Sequence, residues 1–298
     1  MSDDEVVDVL VVGSANLDLV ATTRRLPGPG ETVLGDDYAE HAGGKGLNQA
    51  VAAARSGATT ALIAAIGHDD AGALLRSVAQ HEGIDTSQMS SVADTPTGRA
   101  MITVDDQAEN SIVVIPGANG RSRFESLPAD VASSTVVLAQ LEVPLATVTN
   151  AFTAARAAGC RTVLNPAPAP DDGLPAELLA LCDVIVPNEH EVDVLGGVDG
   201  LLASGVRVVI VTRGAAGVTV SEQPGDAPWT VDAFDVTPID TTAAGDSFCG
   251  ALAARLAAGA DLRHAVRYAA AAGALATTAA GAVPSIPLAA AVDALVAT

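Results

Sequence analysis

Lysine is almost missing from this sequence: Lys45 is the only one in 298 residues. Basic side chains number 15 against 36 acidic ones, a formal net charge of −21. Without a basic stripe the chain has nothing to neutralise phosphates, so it is not expected to bind nucleic acid or an anionic membrane surface. Lysine depletion with acidic excess reads as adaptation to a salt-rich cytoplasm. At ~1 M salt the Debye length falls to ~3 Å, and surface carboxylates hardly repel one another. A codon bias that swaps Lys for Arg accounts for the first feature and not for the second. Aromatic residues are 2% of the chain against 49% hydrophobic. The core must therefore be built from Ala, Val, Leu and Ile, a mix that suits helices packed on a parallel sheet. The cysteines, Cys160, Cys182 and Cys249, are odd in number and widely spaced with no C-x-x-C. That argues against disulfides and zinc and for small core residues. Alanine-rich stretches such as Ala269 to Ala280 are broken by polar residues and too short to span a bilayer. The opening MSDDEVVDVL lacks the charged-then-apolar pattern of a signal segment. A soluble cytoplasmic protein is expected.

The length fits one large α/β domain with at most a small appendage. Short β-branched runs read as strands buried on both faces: Val6 to Val12, Ala61 to Ile66, Val136 to Ala139, Thr162 to Leu164, Val184 to Val186 and Val208 to Val211. Helical segments lie between them: Leu47 to Ser56, Ala71 to His81, Leu145 to Ala158, Asp246 to Ala258 and Leu262 to Ala279. This alternation predicts βαβ units and a Rossmann-like three-layer α/β/α core, with ligands at the carboxyl ends of the strands. Two stretches break the pattern. Glu31 to His41 and Thr97 to Ile115 read as strands without helices, the second turning at Asp105-Asp106. They predict one small β-sheet, a lid over a site, drawn from about 14–42 and 96–116 of a single domain spanning 1–298.

Thr241-Thr242-Ala243-Ala244-Gly245-Asp246 precedes a long helix. Free amides at such a helix start can stabilise a phosphoryl group in flight, and a first-turn carboxylate can take a proton from an attacking hydroxyl. Read alone, Asp246 is equally a helix-start Asp favoured by the macrodipole. Gly43-Gly44-Lys45-Gly46-Leu47-Asn48-Gln49-Ala50 joins a glycine turn to the sole lysine. It is not a phosphate loop of the G-x-x-x-x-G-K-[ST] kind, which the chain lacks. In Ser14-Ala15-Asn16-Leu17-Asp18 the Asn and Asp alternate and point the same way from an extended chain, as vicinal hydroxyls require; a simple Asx turn fits equally. Asn188-Glu189-His190-Glu191 supplies hard oxygens for magnesium, or merely an acidic helix start. Thr212-Arg213-Gly214-Ala215-Ala216-Gly217 follows a strand and reads as a phosphate-admitting loop or a hairpin turn. The first strand lacks G-x-G-x-x-G, which argues against a dehydrogenase.

In this order, these stretches resemble the ribokinase family of sugar kinases over nearly the whole chain. Gln140-Leu141-Glu142, Asn165-Pro166-Ala167-Pro168-Ala169 and Gly281-Ala282-Val283-Pro284-Ser285-Ile286-Pro287 add to the likeness. The resemblance implies an ATP-dependent sugar kinase with Asp246 as base and the amides of Ala243, Ala244 and Gly245 as anion hole. It implies that Asn16, Asp18, Gly44, Lys45, Asn48 and Glu142 hold the sugar. Asn188, Thr212, Gly214 and Gly217, with Gly245, would line the ATP site, and Glu191 would organise Mg2+. K+ would lie near Asp240, Thr242, Ala276, Ala279, Gly281 and Ser285, and lid sheets would pair in a homodimer. Ala269 or Ala270 stands where the family often has Asn or His beside adenine. Arg99 stands where the lid is usually apolar, either a salt-bridged surface residue or a contact to an anionic acceptor. The expected acceptor is D-ribose. The alternatives are a keto-deoxy sugar acid, fructose or its phosphate, or a nucleoside, and, in another class, a non-catalytic sugar-binding regulator.

Overall fold

The run VDVLVV forms strand β1 (Val7–Val12). Val9 and Val11 enter one hydrophobic cluster, while Leu10 and Val12 enter another. A strand buried on both faces must lie inside a sheet covered on both sides. The structure is a computed structural model that describes residues 6–107, 109–223 and 225–298; the first five residues, part of the acidic opening, lie outside it.

After β1 come β2 (Asn16–Thr22), β3 (Asp37–Gly43), α1 (Lys45–Arg55), β4 (Thr60–Gly67), α2 (Asp70–His81), β5 (Met89–Val92), β6 (Gly98–Val104) and β7 (Asn110–Ile115). Next are β8 (Val131–Ala139), α3 (Leu145–Ala157), β9 (Arg161–Leu164), α4 (Ala176–Leu179), β10 (Val184–Ile185), α5 (Glu189–Val194), α6 (Gly197–Ala203) and β11 (Val208–Thr212). The chain ends with β12 (Val218–Ser221), β13 (Trp229–Val231), α7 (Ala244–Ala257), α8 (Leu262–Ala276) and α9 (Ala289–Val296).

The large sheet has the order β13-β12-β11-β10-β9-β8-β1-β4-β5, with parallel pairing except where β12 pairs antiparallel with β11 and β13 at one edge. Helices α1, α2, α7, α8 and α9 pack with Val9, Val11 and Leu62. Helices α3 to α6 pack with Leu10, Val12 and Ile63 on the other face. The three-layer core is as the alternation implied. Chain order reverses between β1 and β8, because the strands after each run to opposite edges. A reversal of this kind opens a crevice at the carboxyl ends. The segments leaving β1 and β8, which carry Ser14 and Glu142, meet there.

The second sheet has the order β3-β2-β6-β7. The expected second excursion is the β6–β7 hairpin, in which the Asp105 carboxylate accepts the amides of Gln107 and Glu109. The first is corrected: residues 31–36 are not strand, and β3 runs on to Gly43. A turn closed by Glu31 on the Gly28 amide precedes that gap, and β2, the extended stretch after β1, supplies the strand that pairs with β3. The last helix stops at Ala276 rather than Ala279, because Thr277 and Thr278 turn their hydroxyls back onto the carbonyls of Ala274 and Leu275. All three cysteines are buried. No helix among the described residues is long and apolar enough to cross a membrane.

Candidate functional site

Gly44 caps α1 with φ 89°, a left-handed conformation. A Cβ there would sit 2.6 Å from the Asn16 amide, so the turn into α1 lies directly against β2. This contact brings the sugar-side residues together. Glu142 Oε2 accepts from Ser14 Oγ at 2.6 Å, from the Lys45 amide at 3.2 Å and from Asn16 Nδ2 at 3.4 Å. Asn119, which sequence reasoning missed, donates to Asn16 Oδ1 at 2.7 Å and accepts from the Ala15 amide at 3.0 Å. It reaches the site from the turn after β7, across more than a hundred residues.

Asp18 shares the β2 face with Asn16 and is 8% exposed. Burial, followed by the charges of Glu142 and Asp246, pushes its carboxyl up to about 7, with Lys45 offsetting only part. Burial pushes the Lys45 ammonium down, but Asp246, Glu142 and Glu191 outweigh it and hold it above the usual lysine value. Lys45 therefore stands in the field of these carboxylates.

Asp246 stands in the first turn of α7, 7% exposed. Asn48 Nδ2 donates to its Oδ2 at 3.0 Å and Gln49 Nε2 to its Oδ1 at 2.9 Å. The other end of the Asn48 amide, Oδ1, is buried with no donor among the described residues. A buried acceptor in want of a donor suits a sugar hydroxyl. Ala243, the residue before α7, is left-handed at φ 59°, a conformation that costs a non-glycine residue about 1–2 kcal/mol. The bend precedes the amides of Ala244 and Gly245 at the start of α7; that of Ala244 makes a long 3.3 Å bond to the Thr241 carbonyl.

A cavity of about 190 Å³ adjoins Asp246, lined among others by Lys45, Asn188, Glu191, Thr212, Ala243 and Gly245. Asn188 and Glu191 also form a capping box on α5, each side chain accepting the other's amide at 2.8–2.9 Å. The helix-start reading of this stretch is therefore realised, with Glu191 still facing the cavity. Gly214 and Gly217 do not line the cavity; they belong to the β11–β12 hairpin. Gly217 has a packing reason of its own, since a Cβ there would lie 2.2 Å from the Val231 carbonyl.

The carboxylate of Asp240 accepts the amide and hydroxyl of Thr242 at 2.8 and 2.6 Å and the Gly281 amide at 2.8 Å. Burial pushes this carboxyl up, but those bonds outweigh it and hold it below the usual range. The loop before α7 is thus tied to the tail after α8, bringing Asp240 and Thr242 beside Gly281. Among the described residues no cluster of His, Cys, Asp or Glu is placed to hold a metal by side chains alone. Ala269 is fully buried in the α8 core and Ala270 packs on the same cluster, and neither lines the cavity.

Arg99 pairs in register with Leu17, whereas Asp18 pairs with Ala100. Successive strand residues face opposite sides, so Arg99 lies on the far face of the small sheet from Asp18. Its guanidinium reaches the Thr97 carbonyl at 3.1 Å and Asp69 at 3.9 Å. It is the salt-bridged surface arginine of the plainer reading.

The sequence profile of the pfkB family carbohydrate kinases matches residues 7–289. The chain is 41% identical to the ribokinase of Haemophilus influenzae, over 93% of this chain and 94% of that one. It is 32% identical to the deoxyribokinase of Salmonella typhi, over 94% and 96%. Among solved structures, the Arabidopsis thaliana ribokinase complexed with ribose and ATP superposes with a TM-score of 0.86 at 30% identity, covering 98% and 99% of the chains.

Proposed function

This chain belongs to the pfkB family of carbohydrate kinases, and on that footing we propose that it transfers the γ-phosphoryl group of ATP to D-ribose, giving ribose 5-phosphate and ADP. The observation that carries the reading is the place of Asp246. It joins a buried set of sugar-hydroxyl partners on one side to a helix start and an open cavity on the other. Asn16, Asp18, Gly44, Lys45, Asn48 and Glu142 hold the pentose, with carboxylates and amides accepting and donating to its hydroxyls. Asp246 accepts the proton of the terminal hydroxyl as that oxygen attacks phosphorus. The amides of Ala243, Ala244 and Gly245 meet the charge on the transferring group, so catalysis is positioning plus electrostatic stabilisation. Asn188, Thr212, Gly214 and Gly217 border the nucleotide.

Glu191 would be the carboxylate that holds the waters of Mg2+, which would neutralise charge on the nucleotide phosphates. K+ would be held by the loop of Asp240 and Thr242 with the tail segment Ala276, Ala279, Gly281 and Ser285, through one carboxylate and backbone carbonyls. It would raise the positive field beside the anion hole. The small sheet acts as the lid. Its β7 edge exposes Val113 and Ile115, and Met101 lies beside them, which supports a homodimer built on this sheet. Acidity and lysine depletion support work in a salt-rich cytoplasm.

The test is ADP release in concentrated KCl with Mg-ATP and ribose, deoxyribose, fructose, fructose 6-phosphate, a keto-deoxy gluconate or adenosine. Ribose should give the highest kcat/KM. A win for an anionic sugar would overturn the acceptor assignment. Sugar-dependent thermal stabilisation without ADP release would make the protein a regulator.

A further inference from the structure

The base has a buried support that sequence motifs do not show. Gln49 and Gln140 are both 0% exposed. Gln140 leaves the carboxyl end of β8, Asn165 leaves that of β9, and Gln49 sits in α1 behind Asp246. Asn165 Nδ2 donates to the Val186 carbonyl at 3.0 Å, which turns its Oδ1 toward Gln49. Gln49 Nε2 donates to that oxygen at 3.1 Å. Gln140 Nε2 donates to Gln49 Oε1 at 2.6 Å. With its oxygen held by Gln140 and one N–H by Asn165, Gln49 has a single N–H left, and it goes to Asp246 Oδ1 at 2.9 Å. An amide has only two donors and one acceptor oxygen, so each link dictates the direction of the next. The line starts on a main-chain carbonyl of the sheet and ends on an acceptor-only carboxylate.

We infer that Gln49, oriented by Gln140 and Asn165, is a positioning residue that fixes the rotamer of Asp246 against the sheet. The inference rests on the assignment of Asp246 as the base. Asn48 grips Oδ2 and Gln49 grips Oδ1, so together they leave the carboxylate no free rotation. Among the described residues Asn48 keeps an unpaired buried oxygen facing the proposed sugar pocket, whereas Gln49 is tied to Asn165 and Gln140 at the ends of the sheet strands. Gln140's own oxygen has no donor among the described residues. An apolar residue would fill that space without an unpaired acceptor, so the network is not there for stability alone.

The test compares Gln49→Leu and Gln140→Met with wild type in the full chain. It records kcat, KM and Tm with whichever acceptor the wild type turns over fastest, so a wrong sugar assignment leaves it intact. Gln49→Leu should lower kcat by ~10–100-fold, the scale of a ~1 Å misplacement of a reacting group, with sugar KM within about threefold. Gln140→Met touches neither Asp246 nor sugar, and should lower kcat by a smaller factor, about 3–10-fold, at similar Tm. A structural brace would instead lower Tm and spare the kcat of the folded protein. The inference fails if both folded variants keep kcat within about twofold of wild type, or if the whole loss falls on KM. Asp246→Asn separates the two claims. If it stays active, the base assignment falls and takes the inference with it; if it is dead while Gln49→Leu is fully active, the inference alone falls.

Discussion

The two halves of the site are built on different plans. On the proposed sugar side Asn16, Asp18 and Asn48 are all 8% exposed or less, and Asn16 and Asn48 are hydrogen-bonded to Asn119 and Asp246. On the proposed nucleotide side Thr241, Thr242, Gly214 and Gly245 are exposed. Buried side chains give shape and hydrogen-bond selectivity, because a wrong ligand leaves them unpaired. Exposed amides at a helix start recognise any phosphate and tolerate changes of side chain. The difference teaches where substitutions should count.

Asp246→Asn, at the junction, should have the largest effect. Losing the base should cut kcat by ~10²–10⁴-fold with little change in ribose affinity, read from initial rates and a binding isotherm. Retention of more than a tenth of the rate would break the comparison at its hinge.

Asp18→Asn comes next. A hydrogen bond to a charged acceptor is worth about 1.5–3 kcal/mol, so ribose kcat/KM should fall ~10–100-fold. The same residue makes a pH signature. Its carboxyl is raised from 3.8 to about 7 in the folded protein. Between those values the native state holds a proton that the unfolded chain has released, so stability falls as pH rises from about 4 to about 7. The loss is on the order of 4 kcal/mol at most. Denaturant melts of wild type across that window should show the decline, and Asp18→Asn should flatten it. A wild-type curve as flat as the variant's would mean that burial does not raise the Asp18 carboxyl in the folded protein.

On the nucleotide side Gly217→Ala should act through folding of the hairpin rather than through contact with ATP. The new Cβ meets the Val231 carbonyl at φ 80°, which should cost about 1–3 kcal/mol of stability and raise the KM for ATP a few-fold. Gly214→Ala, with open space around it, should cost only about 1 kcal/mol. Equal effects from the two would mean that the glycines serve the nucleotide and not the packing. The smallest effect is expected for Arg99→Ala: turned away from Asp18 and half in solvent, it should leave ribose kcat/KM within about twofold. A tenfold loss would return Arg99 to the acceptor site.

Local chemistry was enough to read the buried strands of the core. Val9 to Val12, Leu62 to Ile66 and Val136 to Ala139 are apolar on both faces, and only a covered parallel sheet accommodates that. The short strands β5, β12 and β13 escaped notice because four or fewer residues with exposed positions carry no usable periodicity. Asn16, Asp18, Lys45, Asn48 and Asp246 were legible as motif residues, since glycine turns and helix starts are local signals. Asn119, Gln140 and Asn165 were not legible as members of the site. Their bonds to Asn16 and Gln49 span 103, 91 and 116 residues, and no spacing rule reaches that far.

By itself the sequence therefore determined the layered core and its longer elements and singled out candidate residues for chemistry, because hydrophobic period and turn propensity act over a few residues. Only the tertiary structure decided that Asp18 and Arg99 fall on opposite faces of the small sheet, that Gly217 answers to the Val231 carbonyl, and that Asp246 is linked through Gln49 to Gln140 and Asn165. Those outcomes depend on strand register and on contacts between distant segments, which exist only once the chain has closed on itself.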